Sequence, residues 1–226
     1  MKAVLFDMDG VLVDVSASYR AVIKKTVEYF GNENISFEKI QDYKDRGGLN
    51  NDWDCTEQIL LDRGIHINKN LIIEKFQDCY LGHNYNGLIQ NETWLLEKKI
   101  LEQIVQRHKA GIVTGRPREE AVYVLDYFAM KKYFSTVITM NDVPADKGKP
   151  DPAGILLALQ RVDAKTGWYL GDTIDDVTAA ISADIVPVGV LCGTDEKQRK
   201  KQKKILVQHG AKCVLEHVNE IKEVVL

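Results

Sequence analysis

The chain of 226 residues has only four cysteines, and their arrangement excludes more than it suggests. Cys55, Cys79, Cys192 and Cys213 make no Cys-x-x-Cys pair and have no histidines at zinc-finger spacing, so neither a disulfide framework nor a structural zinc site is expected. They read as free thiols in a reducing compartment. An excess of charge is also missing: 30 Lys and Arg against 33 Asp and Glu leave a formal −3, with no global attraction for nucleic acid or an anionic membrane surface. No apolar run approaches the ~18 residues of a membrane-crossing helix, and the first residues reach Asp7 too soon for a secretory hydrophobic region. A cytoplasmic location is expected. Gly-x-Ser-x-Gly, His-Glu-x-x-His and phosphate-loop motifs are absent too, which removes the common serine-hydrolase, zinc-protease and nucleotide-binding readings.

What is present is an alternation. Short apolar runs at Ala3–Phe6, Ala110–Thr114, Thr136–Thr139, Gly167–Leu170, Ile185–Val190 and Cys213–Leu215 read as strands. Helical periods follow at Glu92–Gln106, Arg118–Phe128, Pro152–Gln160, Asp175–Ser182, Asp195–His209 and Val218–Val225. The expected fold is α/β: a Rossmann-like three-layer α/β/α core around a parallel sheet, with ligands gathered at the carboxyl ends of the strands. Residues 15–90 break the rhythm with amphipathic segments at Tyr19–Phe30, Phe37–Tyr43, Asp52–Asp62 and Asn70–Tyr85 and no strand, and read as a small helical insertion. The expected division is therefore 1–14 with 91–226 as the core and 15–90 as a cap. The cation-rich run from Asp195 to Lys204 has no interleaved aromatics and reads as a solvated helix face.

Four places concentrate chemistry. In Phe6-Asp7-Met8-Asp9-Gly10, two carboxylates at the end of a buried strand repel and lose hydration, a conflict that a divalent cation resolves. Asp7 can then be both metal ligand and nucleophile. Asp9, beyond a turn eased by Gly10, can protonate a leaving oxygen and later deprotonate water. In Val113-Thr114-Gly115-Arg116, a hydroxyl and turn amides can face an anion, with Gly115 and Arg116 as candidate substrate contacts. In Lys147-Gly148-Lys149-Pro150, a stiffened loop aims a lysine suited to neutralise a phosphoryl group; Lys149 is favoured over Lys147 by the prolines around it. In Gly171-Asp172-Thr173-Ile174-Asp175-Asp176, clustered carboxylates suit Mg²⁺. Asp172 is the favoured direct ligand, Asp176 a ligand or a group holding water or Lys149, and Asp175 a helix N-terminal charge.

Taken together and in this order, these segments resemble the haloacid dehalogenase superfamily of hydrolases. The insertion after the first motif resembles its helical C1 cap, as in the phosphoglycolate phosphatase and beta-phosphoglucomutase subgroup. The resemblance implies a phosphate-monoester hydrolase in which Asp7 attacks phosphorus, Mg²⁺ is held by Asp7, the Asp9 carbonyl and Asp172, and Thr114 and Lys149 hold phosphoryl oxygens. It also implies that Asp9 separates phosphatases and mutases from dehalogenases. Two alternatives stay open: a phosphomutase, and a catalytically silent protein on the same fold. Within the cap, Asp45-Arg46-Gly47-Gly48-Leu49-Asn50-Asn51-Asp52-Trp53 is either a specificity loop or a plain connection. In the first reading Arg46 meets an anionic leaving group and Asn50 and Asn51 meet its hydroxyls; in the second Asp52 caps the next helix. The expected partner is a small phosphorylated metabolite, not nucleic acid or membrane, with the chain a monomer or homodimer.

Overall fold

The computed structural model describes residues 1–49, 51–192 and 196–226; Asn50 and Asp195, both named above, lie outside the described residues. The chain divides into two compact units, Met1–Val13 with Trp94–Leu226, and Asp14–Thr93.

In the first unit, β1 (Ala3–Phe6) is four apolar residues buried on both faces, the pattern of a central strand in a parallel sheet. A short β2 (Val13–Asp14) follows it. The second unit supplies α1 (Tyr19–Gly31), α2 (Phe37–Lys44), α3 (Asp52–Leu61) and α4 (Lys69–Tyr80). The rest runs β3 (Thr93–Trp94), α5 (Lys98–Arg107), β4 (Lys109–Val113), α6 (Arg118–Tyr127), β5 (Thr136–Ile138), α7 (Ala153–Arg161), β6 (Gly167–Gly171), α8 (Ile174–Ser182), β7 (Val186–Val190), α9 (Glu196–Gln208), β8 (Cys213–Leu215) and α10 (Lys222–Val225).

Six of these strands form a sheet in the order β5-β4-β1-β6-β7-β8, every neighbouring pair parallel. The chain first builds outward from β1 through β4 to β5, then returns to the other side of β1 for β6, β7 and β8. The direction of winding therefore reverses at β1, and a crevice opens beyond its carboxyl end between β4 and β6. This topology fixes where a ligand site can form. Ala3, Leu5 and Tyr169 share a core with Ile155, Ala158 and Leu159 of α7 and Ala179 and Ala180 of α8. Period-2 alternation turns Phe6 to the opposite face, where its ring meets Phe134 edge-on at 6.2 Å.

The helical unit has its own core. Along α1, Tyr19, Val22, Ile23, Thr26 and Val27 are buried, the i, i+3, i+4, i+7 spacing of one helix face. Tyr19 stacks on Tyr80 of α4 at 4.1 Å. The hydroxyls of Ser18 and Tyr80 both donate to the Glu92 Oε1 oxygen at 2.9 Å.

That last contact explains one departure from the sequence reading. Glu92 does not open a helix: its carboxylate is committed to Ser18 and Tyr80, β3 follows, and the helix begins only at Lys98. The helix expected to reach Tyr85 ends at Tyr80, because Gly82 at φ +62° turns the chain so tightly that a Cβ there would lie 2.7 Å from the Gly87 nitrogen. The final segment is a 3₁₀ turn over Val218–Ile221 running into α10, rather than one helix. Asn51, not Asp52, caps α3: its side-chain oxygen accepts from the backbone N–H of Trp53 at 2.9 Å and Asp54 at 3.2 Å.

Candidate active site

The turn after β1 is built for close approach. Asp7 N–H still pairs with the Leu170 carbonyl at 2.8 Å, extending the sheet by one residue, and then Leu12 and Val13 N–H both return to the Met8 carbonyl at 2.9 Å. Gly10 sits at φ +74°, and a Cβ on it would fall 2.5 Å from Asp172 Oδ2. Only glycine meets both demands, and it is what lets the β1 and β6 carboxylates share one space.

The carboxylates of Asp7, Asp172 and Asp176 are all buried, with one oxygen of each lying within 4.8 Å of the others. Lys149, with only 5% of its side chain exposed, faces this group. Its Nζ lies 2.9 Å from Asp7 Oδ1 and donates to Asp176 Oδ1 at 2.6 Å and Tyr169 Oη at 3.1 Å. Burial, joined by the charges of Asp176, Asp9 and Asp172, pushes the Asp7 carboxyl well above the usual carboxylate range, against the opposing pull of Lys149. For Lys149 burial alone would favour loss of the proton, but Asp176 and Asp7 outweigh it and raise its pKa well above that of an ordinary lysine. Among the described residues, the Lys149 ammonium faces the three carboxylates of this cluster. An all-oxygen, buried donor set of this kind fits a hard divalent cation such as Mg²⁺.

Asp176 has a second task. It occupies the third position of α8 in a capping box: Thr173 N–H and Oγ1 donate to its Oδ2 at 3.0 and 2.6 Å, and Asp176 N–H returns a bond to Thr173 Oγ1 at 3.2 Å. With Oδ1 given to Lys149 and Tyr169, both oxygens are engaged within the protein. Gly171 makes room for this arrangement, since a Cβ on it would sit 2.1 Å from the Asp176 Cβ. Asp175 is buried beside it.

Thr114, buried at the end of β4, accepts the Arg116 N–H on Oγ1 at 3.2 Å, which leaves its own hydroxyl proton free to point elsewhere. Gly115 is exposed. Arg116, expected to meet substrate, is fully buried, and its Nε and Nη2 donate to Asp9 Oδ1 at 2.8 and 2.5 Å. Lys147 pairs at the surface with Asp151 at 3.0 Å, and it is Lys149 that lies beside Asp7. In the helical unit Arg46 lies over the Tyr43 ring at 4.1 Å and 3.4 Å from Asp62 Oδ2, while Asn51 is the α3 cap described above.

Three site residues escaped the sequence reading. Tyr169 is buried in β6; its one hydroxyl proton is shared between the Val113 carbonyl at 2.9 Å and Asp176 Oδ1 at 3.2 Å, while its oxygen receives the Lys149 bond. Gln202 of the basic α9 donates to the Asp172 carbonyl at 2.8 Å. It is the uncharged residue in Lys200-Lys201-Gln202-Lys203-Lys204, one turn before the buried Leu206, and that break in the charge pattern was the available signal. Cys192 places its Sγ 3.3 Å from Asp172 Oδ2, with no signal in the sequence pointing there.

At the switch point of this parallel sheet a buried carboxylate lies beside a lysine, with two further carboxylates across from it. A model of the haloacid dehalogenase-like hydrolases matches residues 4–190, and the chain belongs to that family. It is 36% identical to an imidazoleglycerol-phosphate dehydratase from Phytophthora nicotianae over 95% of this chain and 50% of that protein, so it spans half of that relative's length. It is 26% identical to a phosphoglycolate phosphatase from Vibrio parahaemolyticus over 85% of each. Among solved structures, a hydrolase from Pseudomonas syringae superposes with a TM-score of 0.73 at 22% identity, over 99% of this chain and 97% of that one, a likeness of fold. No helix among the described residues is long and apolar enough to cross a membrane.

Proposed function

We propose that the chain is a Mg²⁺-dependent phosphatase of small phosphate monoesters that works through a phosphorylated Asp7. The observation that carries this reading is the buried Asp7 carboxylate held between the Lys149 ammonium at 2.9 Å and the Asp172 and Asp176 oxygens. An Asp7 oxygen attacks phosphorus, forming the new O–P bond as the ester O–P bond breaks, and Asp9 supplies a proton to the departing alcohol oxygen. Water then attacks the phosphorus of the acyl phosphate, gives its proton to Asp9, and restores the Asp7 carboxylate. Thr114 and Lys149 hold the phosphoryl oxygens in line. If held by Asp7, Asp172 and the Asp9 carbonyl, Mg²⁺ would supply, beside Lys149, the further positive charge that keeps Asp7 ionised next to an anionic substrate. Asp176 anchors Lys149 and closes the acidic side of the site.

The helical unit, in this reading, serves as the cap that selects the leaving group, with Arg46, Asn50 and Asn51 as contacts for its anionic or hydroxyl groups. A carboxylated phosphate ester fits that set, and the phosphoglycolate phosphatase named above supports it. The dehydratase activity in the Phytophthora relative's name is not carried over, since half of that protein lies outside the match. Four free cysteines fit a reducing, cytoplasmic setting. The test is a screen of phosphorylated metabolites with Mg²⁺ and with chelator, using Asp7→Asn as the blank and measuring both phosphate release and isomerised sugar phosphate. Mg²⁺-dependent phosphate release that vanishes in Asp7→Asn is expected. Isomerisation without release identifies a mutase, and equal release by the variant removes Asp7 from the mechanism.

A further inference from the structure

We infer that Arg116 is the positioning residue for Asp9: it clamps Oδ1 and leaves Oδ2 as the oxygen that exchanges protons with the leaving group and with water. This rests on the reading of Asp9 as the general acid and base. An arginine is seldom buried unless its charge is matched, and the Arg116 side chain is 1% exposed. Asp9 is paired with it, and the Asp9 side chain, 29% exposed, bridges the buried guanidinium and the open side of the site. The two guanidinium bonds to Asp9, from Nε at 2.8 Å and Nη2 at 2.5 Å, end on one oxygen, Oδ1. Two donors from a rigid planar fork converging on one atom fix that oxygen and the plane approaching it, which a lysine, a point charge on a flexible stem, does not do.

The clamp is itself anchored to the phosphoryl-binding side. Arg116 N–H is held by Thr114 Oγ1 at 3.2 Å, and the Arg116 carbonyl accepts from Met140 N–H at 3.2 Å. Asp9 stands on the turn at Gly10, where a short side chain would otherwise sample several rotamers. One continuous segment, Thr114 to Arg116, therefore sets the phosphoryl-holding hydroxyl and the acid at a fixed spacing. An Arg116 that bound substrate instead would have to leave Asp9, and the two roles predict different kinetics.

The experiment compares Arg116→Lys and Arg116→Gln with the parent and Asp9→Asn, in Mg²⁺, on two probes. Phosphoglycolate has an alkoxide leaving group that needs a proton; p-nitrophenyl phosphate releases a stable phenolate that does not. Arg116→Lys is expected to lower kcat for phosphoglycolate about 10- to 100-fold, with KM within about 2-fold and the first-turnover burst of nitrophenolate changed by less than about 2-fold. In the Asp9→Asn background the same substitution is expected to add nothing. A parallel fall on both probes with a raised KM assigns Arg116 to the phosphoryl group and overturns the clamp, as does a full additional loss in the Asp9→Asn background. If Asp9→Asn alone spares phosphoglycolate turnover while Asp7→Asn abolishes it, the acid–base reading fails first and the clamp with it. Should neither Arg116 variant fold, the ¹⁵N resonance of Arg116 Nε in the parent and in Asp9→Asn decides. A shift with faster exchange in the variant upholds the pair, and an unchanged resonance overturns it.

Discussion

Replacing Lys149 by methionine removes its ammonium from between Asp7 and Asp176 and nearly keeps its volume. In the parent, three carboxylates and one ammonium carry a formal −2 without metal; in the variant the same volume carries −3. Lys149 Nζ lies against Asp7 and Asp176 with about 5% of its side chain exposed, so solvent screens little of the lost interaction. Breaking a buried pair in this way costs about 3–5 kcal/mol. For a protein of this size that is a fall in melting temperature of about 6–20 °C. The pH dependence has a definite sign. Asp7 already has a raised folded-state pKa, from burial opposed by Lys149, and loss of Lys149 raises it further. A raised carboxyl adds stability below its unfolded pKa, and that gain is lost as pH rises through the folded value. The deficit of Lys149→Met is therefore largest near pH 8, smaller near pH 5, and partly relieved by Asp176→Asn in the same chain. Urea denaturation of the three proteins at both pH values in chelator measures it. A variant as stable as the parent at pH 8 refutes the claim that Lys149 neutralises the cluster.

Gly10→Ala is expected to abolish the stabilisation that Mg²⁺ confers in a thermal melt, because its Cβ would meet Asp172 Oδ2 at 2.5 Å and the residue must hold φ +74°. An unchanged Mg²⁺ response contradicts the shared β1–β6 site. Tyr169→Phe leaves the Val113 carbonyl without its 2.9 Å donor and Lys149 without one of its three partners. A loss of about 1–3 kcal/mol by denaturation is expected, with reduced kcat. Asp142 is held at a pKa of about 2: burial opposes, but bonds from Thr139 N–H and Oγ1, Arg161 and Arg118 prevail. A depressed carboxyl contributes stability above its unfolded pKa and loses it as pH falls toward 2, so Asp142→Asn should cost about 2 kcal/mol at pH 7 and converge with the parent by pH 2. A constant difference across that range rejects the assignment.

The six sheet strands were legible because each is a short apolar run bounded by turn residues, and every one lies within a residue or two of its expected place. That Asp7, Asp172 and Lys149 come together was legible for a related reason, since charge at the end of an apolar strand or just before a Pro-x-Pro turn has few structural uses. What was not legible is how side chains are shared over long sequence distances. Glu92 looks like a helix former until Ser18 and Tyr80 claim its carboxylate from 74 and 12 residues away. Arg116 looks like an anion binder until Asp9, 107 residues earlier, is seen to occupy it. Gln202 is marked only by the break it makes in a run of lysines, and its task, holding the Asp172 carbonyl, is a backbone contact that no residue type announces.

The account turns on Asp7 carrying the phosphoryl group. Acid quenching during turnover of p-nitrophenyl phosphate with Mg²⁺, borohydride reduction and peptide mass spectrometry test this directly, since an acyl phosphate is reduced and a free carboxylate is not. Homoserine at position 7, absent from the unreacted control and from Asp7→Asn, is the expected result. Turnover that leaves Asp7 unreduced, or places the label on another residue, contradicts the account.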